Sequence, residues 1–290
     1  MSSSPDTPMR TAHTLALPDA LAFARATDDL NASYTAGRCV PPVAVVGAPW
    51  PALRDVAGRA PAFADGIAFH LAHDVHYGRA ILPGESLVTE CVHFGERAGV
   101  FGREVTYRLV LRDASRSVVV DQYATVFVPG PAAARRIGSA RPSHRFRATP
   151  PGSRPLATIE VDVPADQSFR YAEASGDRTP IHVSDDAARR AGLRGVIVHG
   201  MCTMAICHRE LVRALAGGDP ERTRRLAARF AQPLYPGTRL AISVQEVGRT
   251  NGTVSYGFEA TSGGRSVIRV GRLDLAFDGG RAVQTRSTAR

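Results

Sequence analysis

An aspartate and a histidine five residues apart, Asp177 and His182, stand in the stretch Tyr171-Ala172-Glu173-Ala174-Ser175-Gly176-Asp177-Arg178-Thr179-Pro180-Ile181-His182. A carboxylate and an imidazole can together hold a water molecule, take a proton from it and deliver a proton elsewhere. Ser175-Gly176-Asp177 and Thr179-Pro180 are turn formers. The spacing therefore predicts that a short helix running through Phe169 to Ala174 breaks there, leaving both groups on a tight loop. Ser184 followed by Asp185 and Asp186 reads as a second helix start, ending at Gly192, so the loop is clamped between two helical turns. After the apolar run Gly195 to Val198, His199-Gly200-Met201 opens an amphipathic helix to about Leu215, with Met204, Ile206, Leu211, Val212 and Leu215 as its apolar positions. A helix start at Gly200 presents backbone N–H groups to whatever lies in front of it. An acid, an imidazole and such donors suit proton transfer beside a carbonyl whose oxygen gains charge.

The same string resembles the hydratase motif of the MaoC-like (R)-specific enoyl-CoA hydratases, Tyr-Ala-x-x-Ser-Gly-Asp-x-Asn-Pro-x-His followed by His-Gly-Met. Tyr171, Ala172, Ser175, Gly176, Asp177, Pro180, His182, His199, Gly200 and Met201 match it, and Thr179 stands where the family has Asn. Thr offers one hydroxyl where Asn offers a whole amide, so the loop is expected to be held differently, with neither catalytic group lost. The resemblance implies that Asp177 and His182 are catalytic and that Gly200 receives the thioester oxygen. It makes Tyr171, Ser175 and His199 candidates for substrate contact. It implies an acyl-CoA or acyl carrier protein thioester as partner and no metal or redox cofactor. On the residues alone, His199 reads as a packed or backbone-bonded imidazole, and Tyr171 as half-buried packing.

Composition sets the frame. The 290 residues, 44% hydrophobic, suffice for two ordinary domains of a soluble globular protein. All 36 basic residues are Arg and the net charge is +9, which a phosphate-bearing substrate or an acidic carrier explains as well as nucleic acid does. Nucleic acid and membrane are therefore not expected as partners. Cys39, Cys91, Cys202 and Cys207 have no zinc spacing, and His70, His73 and His76 have no acidic or Cys partner at a familiar interval, so no metal site is expected. Cys202 and Cys207 read as small core residues of the amphipathic helix. With no apolar run of membrane length, the expected location is cytoplasmic.

The chain also looks duplicated. Phe23, Ala24, Thr27, Asp29, Asn31 and Tyr34 align with Tyr171, Ala172, Ser175, Asp177, Thr179 and His182 at an offset of 148, and Ile81 to Leu87 aligns with Leu234 to Leu240 at 153. In both halves a Pro-Gly turn leads into β-branched, alternating runs: Leu87 to His93, Arg103 to Leu111 and Ser117 to Val128, then Leu240 to Val247, Thr253 to Ala260 and Ser266 to Ala276. The layout resembles a double hotdog, an α+β fold of two antiparallel sheets each wrapping a central helix. It would make the molecule a monomeric pseudo-dimer or a homodimer. Residues 1–14 are expected to be disordered, 15–129 a degenerate hotdog with Tyr34 in place of the His, 130–155 a Pro/Arg-rich linker, 156–278 the catalytic hotdog and 279–290 a tail. The central helix of the first half is expected within Pro49 to Val56, short because of its prolines.

Two rivals to a hydratase or dehydratase stay open at this point. A hotdog thioesterase would carry a carboxylate on the central helix, where Glu210 is the only acid, near the far end. A non-catalytic acyl-thioester-binding protein would retain the pocket without the chemistry. Chain length, the direction of reaction, and a place in fatty-acid or polyketide metabolism are not fixed by these residues.

Overall fold

The computed structural model describes residues 8–47, 53, 68–130, 136–139, 155–250 and 252–277. The first half contains β1 (Met9–Thr14), α1 (Leu17–Ala26), α2 (Ala32–Thr35), α3 (Pro42–Gly47), β2 (Phe69–Tyr77), β3 (Ser86–Gly99), β4 (Gly102–Arg112), β5 (Val118–Pro129) and β6 (Arg136–Gly138). The second contains β7 (Ala157–Asp162), α4 (Gln167–Ser175), α5 (Asp185–Arg190), α6 (Gly200–Leu215), β8 (Thr223–Phe230), β9 (Arg239–Thr250), β10 (Thr253–Ser262) and β11 (Arg265–Ala276).

The strands lie in the order β1-β3-β4-β5-β2-β8-β11-β10-β9-β7, with β6 beside β3. Read from either end, this path visits equivalent strands of the two halves, and β7 begins 148 residues after β1, the offset already seen in the loop. The two sheets expected from the sequence are in fact one. β2 and β8 pair from Ala72↔Arg229 to His76↔Arg225 and carry the ladder across the junction. Their sequences hid them: β2 interleaves three histidines, and β8 is Arg- and Ala-rich, with low strand propensity.

Helix α6 is the axle of the second half. From Met201 to His208 every residue is buried, because the curved sheet covers the helix on several sides. Met201, Met204, Ile206, Leu211 and Leu215 join Leu226, Ile242 and Leu273 in one apolar cluster. Each such side chain contributes about 1.5–3 kcal/mol when fully buried. Cys202 and Cys207 sit in that cluster, fully buried.

Four expectations need correction or limits. Met9–Thr14 is a strand rather than disordered chain, paired with Ser86 to Cys91 and alternating between half-buried and exposed residues. Within the expected linker, Arg136–Gly138 pairs with Gly95 to Arg97 as an edge strand, while most of the remainder lies outside the described residues. The span Pro49 to Val56 also lies outside them except for the buried, helical Leu53, and the short helix α3 precedes it. Residues 279–290 are likewise outside.

The halves also meet where the equivalent helices α1 and α4 pack together. Phe23 and Tyr171, equivalent by the offset, touch edge to face at 5.5 Å. Equivalent hydroxyls do equivalent work: Thr27 Oγ1 donates to the Phe23 carbonyl at 3.0 Å, and Ser175 Oγ to the Tyr171 carbonyl at 2.7 Å.

Candidate active site

Helix α4 ends because Gly176 adopts φ 71°, a left-handed conformation that L side chains avoid, while its N–H closes the last turn on Ala172. That turn aims Asp177 away from the helix axis. Ser175 Oγ accepts from the Asp177 N–H at 3.2 Å, and Thr179 then holds the carboxylate. Its N–H and its hydroxyl both donate to Asp177 Oδ1, at 3.1 and 2.6 Å. The residue that departs from the family motif thus anchors one carboxylate oxygen and leaves Oδ2 for a ligand.

His182 follows on the single 3₁₀ turn Pro180–His182. Its Nδ1 lies 2.8 Å from the Ile197 carbonyl, which can only accept, so Nδ1 carries the proton and Nε2 bears the lone pair. The loop segment at Ile197 is itself fixed, donating its N–H to the Ile181 carbonyl and accepting from Ser168 Oγ at 2.9 Å. His199, the residue before α6, makes the parallel arrangement. Its Nε2–H donates to the Asp177 carbonyl at 2.8 Å, and its ring stacks on His182 with centroids 3.8 Å apart and planes 23° apart. His199 is 2% exposed. Its Nδ1 is buried and has no hydrogen-bond partner among the described residues.

Electrostatics keep the site in one protonation state. Burial lowers the pKa of His182 below the ordinary imidazole value, and burial together with the neighbouring His182 pushes His199 down to about 4. For Asp177, burial opposes ionisation, but the hydrogen bonds from Thr179 and the adjacent imidazoles outweigh it, and its carboxyl sits below the usual range. Near neutrality the site is a carboxylate beside two neutral imidazoles.

Asp177, Thr179, His182 and Gly200 stand on one wall of a cavity of about 580 Å³, and Phe69, His70, Tyr107 and Val126 of the first half form another. The amide of Gly200 opens α6 and has no preceding turn to bond. A Cβ at Gly200 would come within 3.3 Å of the Phe230 ring, so any larger residue there requires the ring or the helix start to give by a few tenths of an ångström. Three candidates for substrate contact are placed elsewhere: Tyr171, Ser175 and His199 lie behind this wall, supporting the loop, and do not line the cavity. Phe230 and the carbonyl of Ile197 had no sequence signal, since one depends on strand pairing and the other is a backbone atom.

The histidines that looked most like metal ligands do not converge. His70 Nε2 bonds His73 Nδ1 at 3.0 Å, His73 Nε2 meets Gln122 at 2.8 Å, and His76 faces Asp74. Among the described residues, the three potential donors that do come together are Asp177, His182 and His199, with atoms within 4.8 Å of one another. Each imidazole already gives one nitrogen to a backbone carbonyl, so two lone pairs and one carboxylate oxygen remain. In the first half the equivalent pair is bonded to itself: the Tyr34 hydroxyl donates to Asp29 Oδ2 at 3.1 Å, and burial raises Asp29 to about 6.

This architecture is a double hotdog. A similar fold occurs in the MaoC-like dehydratase of Phytophthora capsici, with a TM-score of 0.82, 20% identity and coverage of 94% of this chain and 96% of that one. It occurs too in a Mycobacterium tuberculosis protein described as a double hotdog, with a TM-score of 0.64, 15% identity and coverage of 94% and 96%. Residues 146–263 match the family described as MaoC like domain. The 3-hydroxyacyl-thioester dehydratase Y of Mycobacterium tuberculosis is 35% identical over 129 residues, 44% of this chain and 43% of that protein. The chain spans less than half the length of the curated relatives it matches. No described helix is long and apolar enough to cross a membrane.

Proposed function

We propose that the protein catalyses reversible hydration of trans-2-enoyl thioesters, carried by coenzyme A or an acyl carrier protein, to (R)-3-hydroxyacyl thioesters. The observation that carries this reading is the convergence of Asp177, His182 Nε2 and the helix start at Gly200 on one wall of a single cavity. In the hydration direction, water bound between Asp177 Oδ2 and His182 Nε2 loses a proton as its oxygen adds to C3. The proton is returned to C2 on the same face. The thioester oxygen, enolate-like at that moment, accepts from the Gly200 amide. Such activity also agrees with that of the mycobacterial relative, a 3-hydroxyacyl-thioester dehydratase.

The thioesterase alternative loses its acid. Glu210 is buried against Arg209 and Arg213 and lines a different cavity with Asp29 and Tyr34. The test is the enoyl-thioester absorbance of crotonyl-CoA with wild type, Asp177→Asn and His182→Ala. Loss of the band with wild type alone, giving the (R)-alcohol on chiral analysis, is the expected result. Free thiol released in its place would overturn the proposal.

A further inference from the structure

We propose that His199 is a positioning residue that holds the two halves of the acid–base pair together. The role deepens the hydratase reading and rests on it. Three observations meet at this side chain. Its Nε2–H donates to the Asp177 carbonyl at 2.8 Å, which pins the backbone of the carboxylate-bearing loop to the residue that begins α6. Its ring stacks on His182 at 3.8 Å, which fixes the plane in which Nε2 of the base points. Its far side packs on Tyr171 at 4.8 Å, which ties the same ring to the end of α4. One imidazole therefore touches the helix before the loop, the loop's acid, the turn's base and the start of the central helix.

The hydrogen bonds also say what His199 does not do. It is 2% exposed and absent from the cavity wall, so it acts on substrate only through Asp177 and His182. It does not cap α6 with its side chain, since its donor nitrogen is given to Asp177. Among the described residues the buried Nδ1 is left without a partner, a state that is unfavourable for a buried polar group. Phenylalanine would fill the same space without that cost. The imidazole is explained by the one thing phenylalanine cannot supply, an N–H for the Asp177 carbonyl. The titratable groups facing it are Asp177 from the loop, His182 from the 3₁₀ turn and Tyr171 from α4.

Three variants separate the contacts. His199→Phe keeps a stacking ring without the donor, His199→Gln keeps an amide donor without the ring, and His199→Ala keeps neither. Misplacing a catalytic group by an ångström costs about 100-fold. His199→Ala is expected to lose about that much kcat on crotonyl-CoA with KM unchanged, and His199→Phe and His199→Gln each to recover part of it. Proton NMR of the His182 ring provides a readout independent of turnover: its titration midpoint in His199→Ala moves up towards the ordinary imidazole value as the stacked cover is lost. Should His199→Ala fold poorly, as judged by its Tm, the Phe and Gln variants carry the comparison. A rise in KM at constant kcat would make His199 a substrate contact, and an unmoved His182 midpoint with all three variants near wild-type activity would leave it mere packing; either result overturns the proposal. Wild type inactive on every enoyl thioester defeats the hydratase reading instead, while the NMR shift still reports on the clamp.

Discussion

At the scale of single residues, the candidate site was legible wherever chemistry depends on side-chain type and spacing. Asp177 and His182 could be named from the sequence because the turn formers between them fix the geometry of a short loop. Their tautomers and charges could not, since those depend on the carbonyls of Ile197 and Asp177, which no side-chain pattern announces. Thr179 shows the gap best: as a letter it is a departure from a motif, and in the structure it is the clasp on Asp177 Oδ1. Thr179→Val, which keeps the shape and deletes the hydroxyl, is expected to lower kcat about tenfold, the worth of one hydrogen bond to a charged group. Thr179→Ser should retain most activity in the same crotonyl-CoA assay. The proposed reaction needs Asp177 ionised and His182 neutral, and the pKa values of both are held below their ordinary values. The acid limb of kcat/KM should therefore fall below pH 6.5, the unperturbed imidazole value, and a pH–rate profile will locate it.

At the scale of elements, helix ends were readable and strand partners were not. The break after Ser175 and the start at Gly200 follow from glycine and turn chemistry within a few residues. The pairing of β2 with β8 is set by partners some 150 residues apart, as in Asp74↔Ala227, and local propensity argues against both strands. Two glycines test the helix ends separately. Gly176→Ala places a methyl in open space but at φ 71°, so it should cost about 1–2 kcal/mol in urea unfolding from backbone strain alone. Gly200→Ala has the opposite character: its new methyl presses on the Phe230 ring. It should depress kcat more than stability, because the shift displaces the proposed oxygen-binding amide.

At the scale of the whole molecule, the duplication was visible as an offset, whereas the continuity of the sheet across the junction was not. At that seam Arg225 clasps the buried Asp74 through two hydrogen bonds at 2.9 and 2.7 Å. Arg225→Met removes the guanidinium and both of its hydrogen bonds from the buried Asp74, which keeps His76 beside it at 3.3 Å, with an expected loss of about 3–5 kcal/mol in urea unfolding. Acid should also weaken the fold. Burial pushes His73, His199 and His208 down to about 4, so they stay neutral in the folded chain while the unfolded chain takes up protons from pH 6.5 downwards. Stability is full above 6.5 and declines as pH falls towards about 4, by about 1.4 kcal/mol for each unit of depression. Asp29, raised to about 6, works in the other direction over part of that range. Urea midpoints measured between pH 8 and 4 will show the net fall.

The contact of Phe23 with Tyr171 has one more meaning. In an assembly of two identical chains, every heritable change is written twice, once on each side of the symmetry axis, and must be tolerable in both places. Joining the copies in one gene ends that obligation. One copy could surrender an imidazole for Tyr34 and bond its aspartate to that tyrosine, while the other kept Asp177 and His182. The fold retains the outline of a twin, and its ancestry is free to treat the twins as individuals.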